Sequence, residues 1–159
     1  MFFADPVAVF ARLRAQAAPG ARLRFSCFRA RADNAWAGAL ASVLPAPSEA
    51  PDPEAPGPFA FGNPARVEAI LVAAGWHDIA CEAVDYAMIA GEGEMAVDEA
   101  LAYFQRIGPA ARAIAELPES KRPVVLERLR ALLSNHLEDG RVTLPSAAWI
   151  VTARNGAAG

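Results

Sequence analysis

Arg-Leu-Arg-Phe-Ser-Cys-Phe, at residues 22–28, is the stretch that decides the fold of this chain. The side chains at positions 23, 25 and 27 are apolar and share one face, while those at 22, 24, 26 and 28 share the other. This period of two predicts a β-strand. Buried parallel strands instead read as continuous apolar runs. Because Arg24 and Ser26 interrupt such a run, we expect that face to lack a helical cover or to meet another subunit.

Predicted helices and strands surround this strand in the sequence. Asp5 followed by Pro6 is a typical helix start, because the aspartate can cap the first turn and a proline is tolerated there. Asn63-Pro64 has the same signature. Together with periodicity, these signals predict helices over 6–17, 34–44, 64–74, 97–107, 110–117 and 119–137, strands over 22–28, 77–86 and 141–154, and a turn at 91–94.

This order of elements indicates a single α/β or α+β domain over residues 1–154. Six prolines among residues 45–58 predict a long exposed loop. Residues 155–159 are expected to be a frayed tail.

The composition excludes several classes of protein. With 54% apolar and 21% charged residues, the 159-residue chain can bury a core of ordinary size. A net charge of -3 without a basic run argues against a nucleic-acid partner. Cys27 and Cys81 lie far apart without a CxxC motif, so we expect neither a metal cluster nor a disulfide framework. We expect no membrane span and, by exclusion, a cytoplasmic location.

The segment from Met1 to Arg29 resembles part of the class I S-adenosylmethionine (SAM) dependent methyltransferases, of the type used in ubiquinone and menaquinone biosynthesis. It is similar to the end of their fourth strand, the following helix and the fifth strand. The family typically has Pro-Gly-Gly before the fifth strand, whereas here Ala21 follows Pro19-Gly20. The resemblance continues, and covers nearly the whole chain, through residues 56–61, 73–76, 107–109, 144–145 and 148–154.

The resemblance implies the carboxy-terminal half of the Rossmann-like methyltransferase fold. This half would be a three-stranded mixed sheet flanked by helices, with the last strand in the middle and antiparallel. The family's glycine-rich turn and its ribose-binding acid have no counterpart in this chain, so SAM is implied as cofactor by resemblance alone. Gly91 and Gly93 alternate with two glutamates, which would repel a phosphate.

The resemblance also implies a substrate-side pocket, because ligands of open α/β sheets bind beyond the carboxyl ends of strands. Each candidate has a structural alternative: a helix cap for the aspartate, a buried thiol for the cysteine and ordinary packing for the aromatic rings. The same alternative of core packing applies to Trp36 and Trp149. No catalytic residue is predicted. The pocket candidates are Phe2, Phe3, Asp5, Cys27, Phe28, Arg29, Phe59 and Phe61.

Two functions follow from these observations. The first is a truncated SAM-dependent methyltransferase that is inactive unless upstream sequence or a partner completes it. The second is a non-catalytic protein derived from a methyltransferase, which binds a small apolar ligand or oligomerises. In both cases we expect the free edge of the strand at residues 22–28 to be covered, most simply by a homodimer or a rearranged N-terminal segment. The sequence does not predict the methyl acceptor.

Overall fold

The structure is a computed structural model that describes residues 1–45, 52, 54–106 and 108–156. Within these residues the chain forms six α-helices and four β-strands. The helices are α1 (Pro6–Gln16), α2 (Ala35–Val43), α3 (Pro64–Ala73), α4 (Ala96–Arg106), α5 (Gly108–Ala115) and α6 (Arg122–Ser134). The strands are β1 (Arg22–Phe28), β2 (His77–Glu92), β3 (Leu137–Glu138) and β4 (Arg141–Arg154).

The sheet is built around β4, which lies between β1 and β2. β4 pairs antiparallel with β1 along the whole length of β1, from Arg22 opposite Arg154 to Phe28 opposite Ala148. The expectation that the last strand lies in the middle and runs antiparallel to the first is therefore confirmed. The sheet has four strands rather than three, because β3 also pairs antiparallel with β4. The predicted mixed sheet is wrong in this respect, since the pairings of β4 with β1 and β3 are both antiparallel.

A tight turn produces the strand that was not predicted. Asp139 and Gly140 both have positive φ angles, of 48° and 73°. Two consecutive residues in this region form the type of two-residue turn that suits a β-hairpin, and Asp-Gly is its favoured sequence. The turn places Glu138 opposite Arg141. Since Leu137 and Glu138 belong to β3, they cannot belong to α6. This helix ends at Ser134, before its predicted end at residue 137.

The chain divides into two compact units, each formed by segments that are distant in sequence. The first comprises Met1–Asp33, Asp52–Asp85 and Ala147–Gly159, and the second comprises Asn34–Pro51 and Tyr86–Ser146. The single domain over residues 1–154 stays a prediction.

The core of the first unit lies between α1, α3 and one face of the sheet. The Asp5 carboxylate accepts a hydrogen bond of 2.9 Å from the Ala8 amide, so the predicted cap of α1 is confirmed. The indole of Trp76 donates to the Phe10 carbonyl at 3.0 Å and ties the end of α3 to α1. The side chains of this core are mostly apolar, and the burial of apolar surface is the main favourable term in folding. The buried core residues are Phe10, Cys27, Ala60, Phe61, Val67, Ile70, Leu71, Ala74, Trp76, Val151 and Ala153.

The two faces of β1 differ as the alternation predicts. Leu23 and Phe25 are half-buried and pack against this core. Arg24 and Ser26 are exposed on the other face. In the described part of the chain, both polar side chains of this face are therefore open to solvent.

The second unit packs α2 and α4 against α6. Trp36 is buried and its ring centroid lies 6.5 Å from that of Phe104, so Trp36 is a core residue. An ion pair between Arg130 and Asp98 links α6 to α4. β2 continues to Glu92, past the predicted strand end at residue 86, so the turn begins later than residue 91.

Two further predictions concern irregular segments. Residues 46–51 and 53 of the predicted loop at 45–58 lie outside the described residues. Asn155, predicted to be part of a frayed tail, is instead buried. Its side-chain amide donates to the carbonyls of Ala17 and Ala18 at 2.9 and 3.1 Å, which fixes the chain beyond β4. Residues 157–159 of that tail are also outside the described part.

None of the helices in the described part of the chain has the length and apolar character that crossing a membrane would require.

Candidate functional site

The carboxyl end of β1 brings five of the predicted site residues together in the first unit, and we call this group the β1 rim. The ring centroids of Phe28 and Phe59 are 6.0 Å apart. The Cys27 thiol lies 3.7 Å from the carbonyl of Phe61 and donates to it. Arg29 directly follows β1. The rim consists of Cys27, Phe28, Arg29, Phe59 and Phe61.

A hydrogen-bonded turn presents Phe59 and Phe61 to β1. The Gly62 amide donates to the Phe59 carbonyl at 2.9 Å and closes the turn. The guanidinium of Arg66, in the first turn of α3, donates to the Ala60 carbonyl at 3.2 Å. These bonds occupy backbone groups that would otherwise lack partners, so they hold the turn in one conformation.

The guanidinium of Arg29 is held from three sides. Its Nη1 donates to Asp85 Oδ1 at 3.0 Å, and its Nε lies 3.3 Å from Asp33 Oδ2. The guanidinium carbon lies 5.3 Å from the ring centroid of Trp149 on β4, within the range of a cation–π interaction. The Trp149 indole in turn donates to the Gly62 carbonyl at 2.9 Å. Two carboxylates and an aromatic face therefore fix the position of this cation.

Asp33 and Asp85 were not predicted to belong to the site. Asp33 follows Arg29 by four residues, and this spacing of opposite charges in the sequence indicates a local ion pair. Asp85 comes from β2, 56 residues away, and no local pattern connects it to Arg29. For Trp149 the sequence leaves two roles open, stacking on a ligand and packing in the core. In the structure its ring lies beside Arg29.

Cys27 has the properties of a structural cysteine. Its side chain belongs to the buried core, with 4% of the residue exposed. Burial, and secondarily the neighbouring Cys81, raises the pKa of the Cys27 thiol to about 11. Since the thiolate is the reactive form, the protonated thiol is a poor nucleophile near neutral pH.

Phe61 is also a core residue. It is buried, and its ring centroid lies 6.1 Å from that of Phe10 and 6.5 Å from that of Phe25. Phe28, Arg29 and Phe59 are half-buried. These three side chains are therefore the part of the rim that an added ligand can contact.

The amino-terminal candidates have different environments. Asp5 is engaged as the cap of α1. Met1 packs against the core of the first unit, and its carbonyl accepts a hydrogen bond of 3.1 Å from the Gly57 amide. Phe2 and Phe3 are 66% and 44% exposed, so neither is a core residue. A ligand that covers an exposed phenylalanine removes apolar area from water, which favours binding.

Gly91, one of the two glycines in the Gly-Glu-Gly-Glu stretch, has no room beside it for a cofactor. A Cβ atom on Gly91 would lie 2.0 Å from the Ala96 carbonyl oxygen, so the space beside this glycine is taken by the start of α4. Glu92 is paired with Arg141, whose Nε donates to its carboxylate at 2.8 Å. Gly91 and Glu92 therefore make contacts within the second unit.

A second kind of site to consider is one that binds a metal ion. Within the described ranges, no cluster of three histidine, cysteine or acidic side chains is placed to hold a metal ion. A cavity of about 500 Å³ in the second unit is lined by residues 135–138 with Thr143 and Pro145, and it contains none of the predicted site residues.

Comparison with models of protein families found no match to this chain. Comparison with curated protein sequences found none either. The resemblance to class I methyltransferases therefore stays an expectation based on its motifs.

Proposed function

We propose that this chain is the substrate-side half of a SAM-dependent methyltransferase fold, which is inactive alone and becomes active when another segment or chain supplies the cofactor half. The observation that supports this proposal is the strand order. The last strand, β4, lies between β1 and β2, with α1 before β1 and α3 between β1 and β2 in the chain. The resemblance implied this arrangement, in which the final strand inserts antiparallel between two earlier ones.

The β1 rim is the proposed acceptor side. It lies beyond the carboxyl end of a strand, where open α/β sheets bind ligands. The half-buried rings of Phe28 and Phe59 offer apolar contact to a small apolar acceptor. The fixed guanidinium of Arg29 can donate a hydrogen bond to an oxygen of such a ligand. Methyl transfer from a sulfonium depends mainly on alignment, so a rim that only positions the acceptor suffices for this half.

A non-catalytic protein that binds small apolar ligands or oligomerises is the second candidate. One observation favours it: β1 is the end strand of the described sheet, and the polar side chains of one face of this strand are exposed. An end strand can pair with another chain. This second function needs no cofactor half.

Calorimetric titration with SAM and with S-adenosylhomocysteine tests the first proposal. We expect no heat of binding with the isolated chain. The titration is then repeated with the chain mixed with the amino-terminal half, strands one to four, of a ubiquinone-type methyltransferase. Saturable binding by the mixture, but by neither half alone, would support the proposal.

A failure to bind in the mixture would favour the non-catalytic candidate. Binding by the isolated chain would contradict the first proposal, in which another segment or chain supplies the cofactor half. Phe59→Ala serves as the matched variant, because it should weaken binding of a small apolar acceptor without changing binding of SAM by the mixture.

A further inference from the structure

Three arginines share the open face of the sheet in the first unit, and we call Arg22, Arg24 and Arg154 the arginine face. All three are exposed. Arg22 lies directly opposite Arg154 across the β1–β4 pair, and Arg24 lies opposite Thr152. Directly opposite residues of an antiparallel pair have Cβ atoms about 4.5–5.5 Å apart. The register therefore places the Cβ atoms of Arg22 and Arg154 side by side, and Arg24 follows two residues further along β1 on the same face.

Little negative charge offsets these arginines. The Nε of Arg154 lies 4.0 Å from Asp78 Oδ2, and the same carboxylate pairs with His77 Nδ1 at 3.2 Å. Across the described residues, no ion pair joins Arg22 or Arg24 to a carboxylate. Like charges directly opposite each other destabilise a sheet. An anionic neighbour would therefore be stabilised on this face, although the chain as a whole has a net charge of -3.

The backbone edge of β1 adjoins the arginine face. β1 stands at one end of the strand order, and β4 is its neighbour on the other side. An edge strand presents backbone donors and acceptors that an added strand can pair with. Leu23 and Phe25, which point to the opposite face, are half-buried against the core. A strand added here would meet positive charge on one face and apolar surface on the other.

A second copy of this chain suits this edge poorly. If two copies joined through β1 about a two-fold axis, equivalent residues of both strands would lie on the same face of the continuous sheet. Every such register would bring Arg22 and Arg24 of both copies onto one face. When the two strands overlap fully, Arg22 faces Phe28 and Arg24 faces Ser26 of the other copy, so β1 of a second copy offers these arginines no carboxylate.

We propose that the edge of β1 binds an extended peptide segment whose side chains alternate between acidic and apolar. The segment would continue the sheet beside β1, with its acidic residues facing Arg22 and Arg24 and its apolar residues beside Leu23 and Phe25. Strand addition of this kind draws affinity from backbone hydrogen bonds and specificity from alternate side chains. The proposal does not rest on the proposed methyltransferase function, under which the fourth strand of the cofactor half would compete with the peptide for this same edge.

A fluorescently labelled peptide of alternating glutamate and valine is the probe, and its anisotropy is measured with the full chain. We expect it to bind more tightly than a peptide of the same composition with all glutamates in one block. Arg22→Glu combined with Arg24→Glu should weaken binding about tenfold or more, since two attractive cross-strand pairs become repulsive. The same variant should gain affinity for a peptide of alternating lysine and valine.

The matched control combines Arg12→Glu with Arg128→Glu, which changes the charge equally at two exposed helical positions. It should bind like the original chain. Hydrogen exchange of the complex should show new protection of amides in residues 22–28.

Equal binding of the alternating and block peptides would overturn the proposal, because only general charge attraction would remain. Equal effects of the two double variants, or protection confined to other segments, would do the same. No binding of either peptide would also overturn it, and would mean that the arginines only keep β1 from pairing with other chains.

Discussion

Gly91→Ala tests directly whether this glycine serves packing rather than a ligand. The added Cβ would lie 2.0 Å from the Ala96 carbonyl oxygen and 2.9 Å from the Ala100 amide nitrogen, whereas ordinary contact begins at 3.4 Å. The end of β2 and the start of α4 must therefore separate by about 1.4 Å. Overpacking a rigid contact costs about 3 kcal/mol at the upper end of its usual range, and both neighbours here are backbone atoms that cannot rotate away.

Urea denaturation followed by far-ultraviolet circular dichroism measures the effect. With a slope of roughly 2 kcal/mol per molar urea, a loss of about 3 kcal/mol lowers the unfolding midpoint by roughly 1.5 M. Two other glycines are matched controls. Gly93 has φ of +86° with open space around its Cβ position, so Gly93→Ala should cost only about 1 kcal/mol of backbone strain. Gly38 lies within α2, also with open space, so Gly38→Ala should stabilise by about 0.5–1 kcal/mol.

The order of these three midpoints decides the matter. If Gly91→Ala unfolded at the same urea concentration as Gly93→Ala, the result would contradict the close contact of α4 with β2 at Gly91. The space beside Gly91 would then be open, and our reason for excluding a cofactor there would be lost.

Three further predictions concern the first unit. Trp149→Phe should lower the free energy of unfolding by about 1–2 kcal/mol, because the Gly62 carbonyl loses its indole donor, and urea denaturation would measure this; an unchanged midpoint would contradict the hydrogen bond. The folded-state pKa of Cys27 is raised from 9.0 to about 11, so its contribution is complete below pH 9 and is lost as the pH rises toward 11. In Cys27→Ala, the free energy of unfolding should therefore fall less between pH 9 and 11, by about 2–3 kcal/mol at most. Urea denaturation at a series of pH values measures this fall. An equally steep fall in the variant would assign the effect to other groups such as Cys81. Asp5→Ala should cost about 1 kcal/mol through loss of the α1 cap, whereas Asp5→Asn should cost much less; equal losses in the two variants would show that the charge rather than the cap matters.

Local patterns predicted the long elements well. β1 and β4 have the bounds that were expected, Arg22–Phe28 and Arg141–Arg154, and alternating side chains were the signal for β1. α1 and α3 begin at the prolines that follow their capping residues. β3 was missed since two residues are too few to show a period, although the Asp-Gly turn beside it is a signal that was available.

The candidate site was predicted less completely. Three of the proposed pocket residues have structural roles instead: Asp5 caps α1, while Cys27 and Phe61 lie in the core. Phe28 contacts Phe59, and Arg29 contacts Trp149, while the binding role of these residues stays a prediction.

The sequence by itself determined where α1, α3 and β1 begin and which face of β1 is polar, because capping and alternation act between residues a few positions apart. The tertiary structure alone decided which distant groups meet. Asp85 reaches Arg29 across 56 residues, and Ala96 occupies the space beside Gly91. The same holds for the two cations opposed at Arg22 and Arg154, which only the strand register brings together. Such contacts depend on pairing register and helix packing, which involve the whole chain and leave no local period in its sequence.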